Sequence, residues 1–175
     1  SEALKNLVDI SDTPAAMRAQ VDGMLERARW ASQIYHRYDR DQTLAIAEAV
    51  ARVAHSKAGE YAEWAVAETG FGVVEHKKLK NEFSSMGLLD FYRDWDFVNP
   101  RIDEERKIVE LPRPAGVVFA LAPSTNPIAT VFFKVLSALM TRNAIVFTPH
   151  PAARECCIDA VDTLSAVATE AGAPD

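Results

Sequence analysis

The sequence predicts an α/β chain: amino-terminal helices followed by a βαβ unit of a parallel, Rossmann-like sheet. Three observations carry this. Residues 116–121, Gly-Val-Val-Phe-Ala-Leu, are a continuous apolar run of strand length, as expected for a strand buried on both faces of a parallel sheet. Residues 127–140 are an apolar run of helical length opened by Asn126-Pro127, with Asn able to cap and Pro suited to the first helical position. A second strand-like run, Ala-Ile-Val-Phe-Thr at 144–148, is closed by Pro149-His150-Pro151. Strand, turn, helix, strand is the order of a parallel pair with its crossover. Residues 117–121 and 144–147 are therefore expected to lie side by side and parallel.

The elements before this unit read as helices. Thr13-Pro14 suits a cap and first turn, and Met17, Val21, Met24, Ala28, Ala31 and Tyr35 recur at spacings of three and four, one apolar stripe. A second stripe, Leu44, Ala47, Ala51, Ala54, Ala58, Tyr61 and Ala65, starts after Asp41. Its alanines point to close helix packing, and Gly59 is where this helix is expected to break in two. Gly70 is placed to end it as a left-handed cap. A third stripe holds Leu79, Phe83, Met86 and Leu89, and all three stripes are assigned to the core. Asn99-Pro100 is expected to stop helix. The charged run 103–106 and the strand-like Lys-Ile-Val-Glu-Leu at 107–111 then read as a surface hairpin.

Composition narrows the function. The 175 residues carry a net charge of −6, without the basic patch that nucleic-acid binding needs. The two cysteines, Cys156 and Cys157, are adjacent, so they make no disulfide framework and favour a reducing, cytoplasmic setting. Residues 1–5 lack the basic start and apolar segment of a signal peptide. Residues 115–140 are apolar, but Pro123, Pro127 and the Ser124-Thr125-Asn126 turn break them into runs too short to span a bilayer. His36, His55 and His76 have no metal-ligand spacing, so no metal site is expected.

In open parallel sheets ligands gather at the carboxyl ends of the strands, near helix N-termini. That directs attention to residues 122–126 and 148–151. The string P-x-G-V-x-x-x-x-x-P-x-x-N-P at 114–127, a Lys eight residues after the Asn, and T-R-N-A-I-x-F-x-P-H-P at 141–151 resemble the aldehyde dehydrogenase superfamily. The similarity is greatest to its acylating branch, which makes acyl-CoA from an aldehyde, CoA and a nicotinamide dinucleotide. Ordinary aldehyde dehydrogenases usually have one more residue between the Asn and Pro, a Gly where Arg142 stands and a Lys where Thr148 stands. The resemblance is sharp from about residue 111 onward and looser before it. G-x-G-x-x-G is absent, and the family holds its dinucleotide with less reliance on a glycine loop.

The resemblance implies roles for particular residues. Asn126 would supply a side-chain amide to the oxygen that becomes negative when a cysteine adds to the aldehyde; from the residues alone it reads first as a helix cap. Lys134, the one charge in an apolar helix, needs a carboxylate or carbonyl partner. It matches a family Lys near the active site, with structural support or proton relay as its role, against a snorkelling side chain at the helix edge. Ala122, Pro123, Ser124, Thr125, Thr148, His150 and Pro151 would line the NAD or NADP site. Thr148 would bond the adenosine ribose or merely end a strand; His150 would meet the adenine end or serve only the loop. Cys156 and Cys157 lie near a helix start, where a thiol is activated, or are small core residues.

Family members are much longer, and their nucleophilic Cys lies in a catalytic domain downstream of anything here. Residues 1–175 are thus expected to form the N-terminal part of a single NAD(P)-binding domain, with 100–113 a strand segment for homo-oligomerisation. By itself this part would be inactive and prone to associate. The intact enzyme would use an aldehyde, CoA and NAD or NADP. A hydrolytic aldehyde dehydrogenase and a truncated, non-catalytic nucleotide-binding or interaction module are the alternatives.

Overall fold

The computed structural model describes residues 13–174; residues 1–5, read above for a signal peptide, lie outside them. Helix α1 spans Pro14–Tyr35, and the Thr13 hydroxyl accepts from the Ala16 N–H as its cap. Ala28, Ser32 and Tyr35 are buried, whereas Met17, Val21 and Met24 are about half exposed. The first half of that stripe is therefore not core. The reason is position: α1 packs through its second half, and no described element covers its start.

Helix α2, Arg40–Ser56, opens with a reciprocal capping box between Asp39 and Gln42. It breaks at Lys57, and α3 runs Ala58–Thr69 with Gly59 inside it, so the break comes two residues before the glycine. Gly70 closes α3 at φ 69°, in the left-handed region. Ala47, Ala51, Ala54, Ala58, Tyr61 and Ala65 are all buried, as the second stripe requires.

The third stripe is overturned in part. Helix α4 is Val74–Glu82, a π-helical turn occupies Phe83–Gly87, and α5 is Leu88–Tyr92. Leu79 and Phe83 are exposed, while Lys77, Asn81 and Ser85 face inward, followed by Leu88 and Leu89. The π turn holds one residue more than an α-helical turn, which shifts the phase of everything after it. A constant 3.6-residue period cannot describe such a segment.

Helix ends at Tyr92, well before Asn99-Pro100. Between them Tyr92, Trp95 and Phe97 pack ring to ring, and Asp96 accepts from the N–H groups of Val98 and Asn99. Strands β1 (Arg101–Asp103) and β2 (Ile108–Glu110) then form an antiparallel hairpin closed by an Arg101–Glu110 ion pair.

Strands β3 (Val117–Ala122) and β4 (Ala144–Pro149) pair in parallel, from Val117 opposite Ala144 to Ala122 opposite Pro149. Helix α6, Pro127–Met140, connects them. Ala120 and Ala122 are buried beneath the helices, but Phe119 is 65% and Leu121 62% exposed. One face of β3 is therefore open, not both faces buried: the alternation of the strand puts Phe119 and Leu121 on the side no described helix covers. A short 3₁₀ turn, Pro151–Ala153, leads into α7, Arg154–Glu170. The core joins α2, α3, α6 and α7 through Ile46, Tyr61, Phe132, Leu136 and Leu164, each contributing roughly 1.5–3 kcal/mol by burial.

The turn between α6 and β4 is held from several sides. Arg142 has φ 57°, a conformation that suits glycine. Its guanidinium, buried, donates to the carbonyls of His36, Tyr38 and Val98. Asn143 Oδ1 accepts from the Gly116 N–H at 2.8 Å, tying the start of β3 to that of β4.

Candidate functional site at the strand ends

The carboxyl ends of β3 and β4 are joined beyond the ladder, where the His150 N–H donates to the Ala122 carbonyl at 2.8 Å. Thr148 lies opposite Leu121 in the register. From α6, Lys134 Nζ donates to the Leu121 carbonyl at 2.7 Å, the carbonyl partner its setting demanded. The structure thus brings Ala122, Lys134, Thr148, His150 and Pro151 together. His150 Nδ1 accepts from the Ala152 N–H at 3.1 Å, which orients an exposed ring. Among the described residues the hydroxyls of Ser124, Thr125 and Thr148 donate to nothing, so three small polar groups stand uncommitted around the strand ends.

Asn126 occupies the N-cap position of α6, but its side chain makes no capping hydrogen bond. Its backbone carbonyl accepts from both the N–H and the hydroxyl of Thr130. Its side-chain Oδ1 accepts from Lys80 Nζ at 3.0 Å. One residue earlier, the Thr125 carbonyl accepts from Lys77 Nζ at 2.7 Å. Lys77 is only 5% exposed. Burial first, and then the neighbouring Lys80 charge, hold its ammonium below the usual lysine range.

Neither lysine stands out in the sequence. The run Val-Glu-His-Lys-Lys-Leu-Lys-Asn-Glu reads as a solvated helix with an apolar Leu79, and the π turn hides which side faces in. The one available signal was the spacing of Lys77, Asn81 and Ser85 at intervals of four, a polar stripe on one helix face. Asn81, buried, donates from Nδ2 to the Ala58 carbonyl at 2.9 Å and so anchors α4 on α3.

Cys156 and Cys157 are buried at the start of α7. Glu68, at the end of α3, accepts from the N–H groups of Glu155 (2.8 Å) and Cys156 (2.9 Å). Burial acts to raise the Glu68 carboxyl, but these N–H bonds prevail and hold it below the usual range. The adjacent Cys157 sulfur, burial and the Glu68 charge together push the Cys156 thiol up, the opposite of activation. Both cysteines are core residues.

Among the described residues no group of His, Cys, Asp and Glu could hold a metal ion, and no helix is long and apolar enough to cross a membrane. A cleft of about 450 Å³ runs along the edge of β4 that no described strand pairs, between α1 and α7, lined by Tyr35, Ile145, Phe147, Val161 and Leu164 among others. Its apolar walls and open strand edge suit a further strand better than a charged ligand.

Comparison with known proteins gives one consistent result. The model of the aldehyde dehydrogenase family matches residues 6–175. The bifunctional aldehyde-alcohol dehydrogenase of Escherichia coli K12 is 34% identical over 157 residues, covering 89% of this chain and 18% of that protein. The crystal structure of an acetylating aldehyde dehydrogenase from Geobacillus thermoglucosidasius superposes with a TM-score of 0.87 at 40% identity, over 97% of this chain and 37% of that one. A propionaldehyde dehydrogenase of Rhodopseudomonas palustris, solved with bound CoA and an acylated cysteine, gives a TM-score of 0.74 at 26% identity, over 88% of this chain and 35% of that one. The chain therefore spans about a third or less of these relatives.

Proposed function

This chain belongs to the aldehyde dehydrogenase family, and on that premise we propose that it forms part of a CoA-acylating, NAD(P)-dependent aldehyde dehydrogenase. In the whole protein a cysteine outside residues 1–175 adds to the aldehyde, hydride leaves, and CoA takes the acyl group from the resulting thioester. Aldehyde, CoA and NAD(P)⁺ become acyl-CoA, NAD(P)H and a proton. The relatives' acylating activities and the bound CoA of the Rhodopseudomonas enzyme support this reading.

The residues present fit a dinucleotide at the strand ends. Ala122 sits beside Pro149 and His150, residues 123–125 follow it in the turn to α6, and the hydroxyls of Ser124, Thr125 and Thr148 are free to bond ribose or phosphate oxygens. The dinucleotide, when bound, accepts the hydride. His150 would bound the adenine end, and Lys134 holds the end of β3 in place through the Leu121 carbonyl. Residues 100–113, with their exposed hairpin, would serve subunit contact in a homo-oligomer. In this reading Arg142 is a structural residue, since its donors are given to backbone carbonyls.

The observation that carries the proposal is the Asn126 side chain, which does not cap α6. Freed from that task, its amide can donate to the oxygen that gains charge on attack. In the full-length protein Asn126→Ala should lower kcat by about a hundredfold, ~3 kcal/mol, with KM changed far less. If kcat stays within a few-fold of the parent, Asn126 is not the oxyanion donor.

A further inference from the structure

We propose that Lys80 is a positioning residue, which turns the Asn126 amide so that its NH₂ group faces the reacting oxygen; this rests on the oxyanion reading above. An ammonium offers three donors and no acceptor. Its contact with Asn126 Oδ1 at 3.0 Å therefore permits only one of the two amide orientations. Rotating the amide by half a turn would set NH₂ against NH₃⁺. Among the described residues Asn126 Nδ2 has no hydrogen-bond partner, so nothing but Lys80 separates the two orientations. With the opposite orientation, an amide oxygen would meet the developing negative charge and repel it.

The lysine arrives at this contact on a rigid support. Lys77 and Lys80 are three apart on α4 and so share a face, and both reach the 125–126 loop. Lys77 fixes the backbone at the Thr125 carbonyl, and Lys80 fixes the side chain that follows. The Lys77 stem lies against Gly72, where an added Cβ would come within 2.9 Å of Cε. Asn81 pins α4 to α3 from the next turn. A charge-assisted bond to the amide oxygen also polarises the amide, making its N–H groups better donors.

The test uses the full-length protein, with propionaldehyde as probe aldehyde and NAD(P)H formation followed with CoA present. Lys80→Met should lower kcat by about tenfold or more, leaving KM for the aldehyde within about threefold and the melting temperature unchanged. Lys80→Arg, which also only donates, should restore most of the loss. Lys80→Gln, whose amide tolerates either orientation of Asn126, should fall between. On an Asn126→Ala background, Lys80→Met should change kcat by less than about twofold, because its effect passes through Asn126. Parental kcat in Lys80→Met, or an equal loss with and without Asn126, overturns the proposal. Should Asn126→Ala itself leave kcat intact, the oxyanion reading fails first; loss in Asn126→Ala but not in Lys80→Met removes only the positioning role.

Discussion

Removing the Glu68 carboxylate should loosen the first turn of α7 by an amount that the hydrogen bonds of that turn define. Ala153, the N-cap residue, makes no side-chain capping bond. Glu68 performs the task from the end of α3, accepting from Glu155 and Cys156 at 2.8 and 2.9 Å. A lost cap costs about 1 kcal/mol, and bonds to a charged acceptor are stronger, each worth about 1.5–3 kcal/mol. Water can replace the partner at exposed Glu155 but much less readily at buried Cys156. A net cost of ~2 kcal/mol follows for Glu68→Ala, equivalent to about thirtyfold faster opening. Amide hydrogen exchange of the peptide spanning 151–160 in the full-length protein reads this directly. Glu68→Gln, which keeps an oxygen acceptor, should lose less.

The pH dependence follows from the same contact. The folded Glu68 pKa lies below its unfolded value of about 4.3. Its stabilisation is thus fully present above that pH and is lost as pH falls through the folded value. The gap between parent and Glu68→Ala should accordingly narrow at strongly acid pH. Equal exchange in parent and Glu68→Ala at neutral pH would refute the capping role, as would a gap that is undiminished in acid.

Two further outcomes are expected. Arg142→Gly relieves the left-handed backbone while losing the guanidinium bonds, whereas Arg142→Ala loses the bonds and keeps the strain. Arg142→Ala should therefore melt lower than Arg142→Gly by about 1 kcal/mol of stability, and the reverse order would show that φ 57° is not costly here. Cys156 and Cys157, buried with the Cys156 thiol pushed up, should resist a thiol reagent in the native protein and react on unfolding in urea; rapid native labelling would contradict the packing described.

Several elements were legible in the sequence because their causes are local. Thr13-Pro14 and Gly70 act through neighbouring residues, and the alanine stripe of α2 and α3 keeps one period along its length. The parallel pair of β3 and β4 followed from two apolar runs flanking one helix. The family was legible from the 114–127 and 141–151 strings. What depended on contacts between distant segments was not. Leu79 and Phe83 pointed outward because α4 packs through Lys77 and Asn81, and the π turn at 83–87 then changes helical phase and brings Leu88 and Leu89 to the inner side, a packing decision with no composition of its own. Phe119 and Leu121 proved exposed because burial depends on what lies opposite, not on the strand's own hydrophobicity. The Asn126 side chain, a cap by local rules, was claimed by Lys80 from 46 positions away. A long, flexible ammonium can reach any loop that the fold brings near it, so tertiary structure alone decides which acceptor it finds.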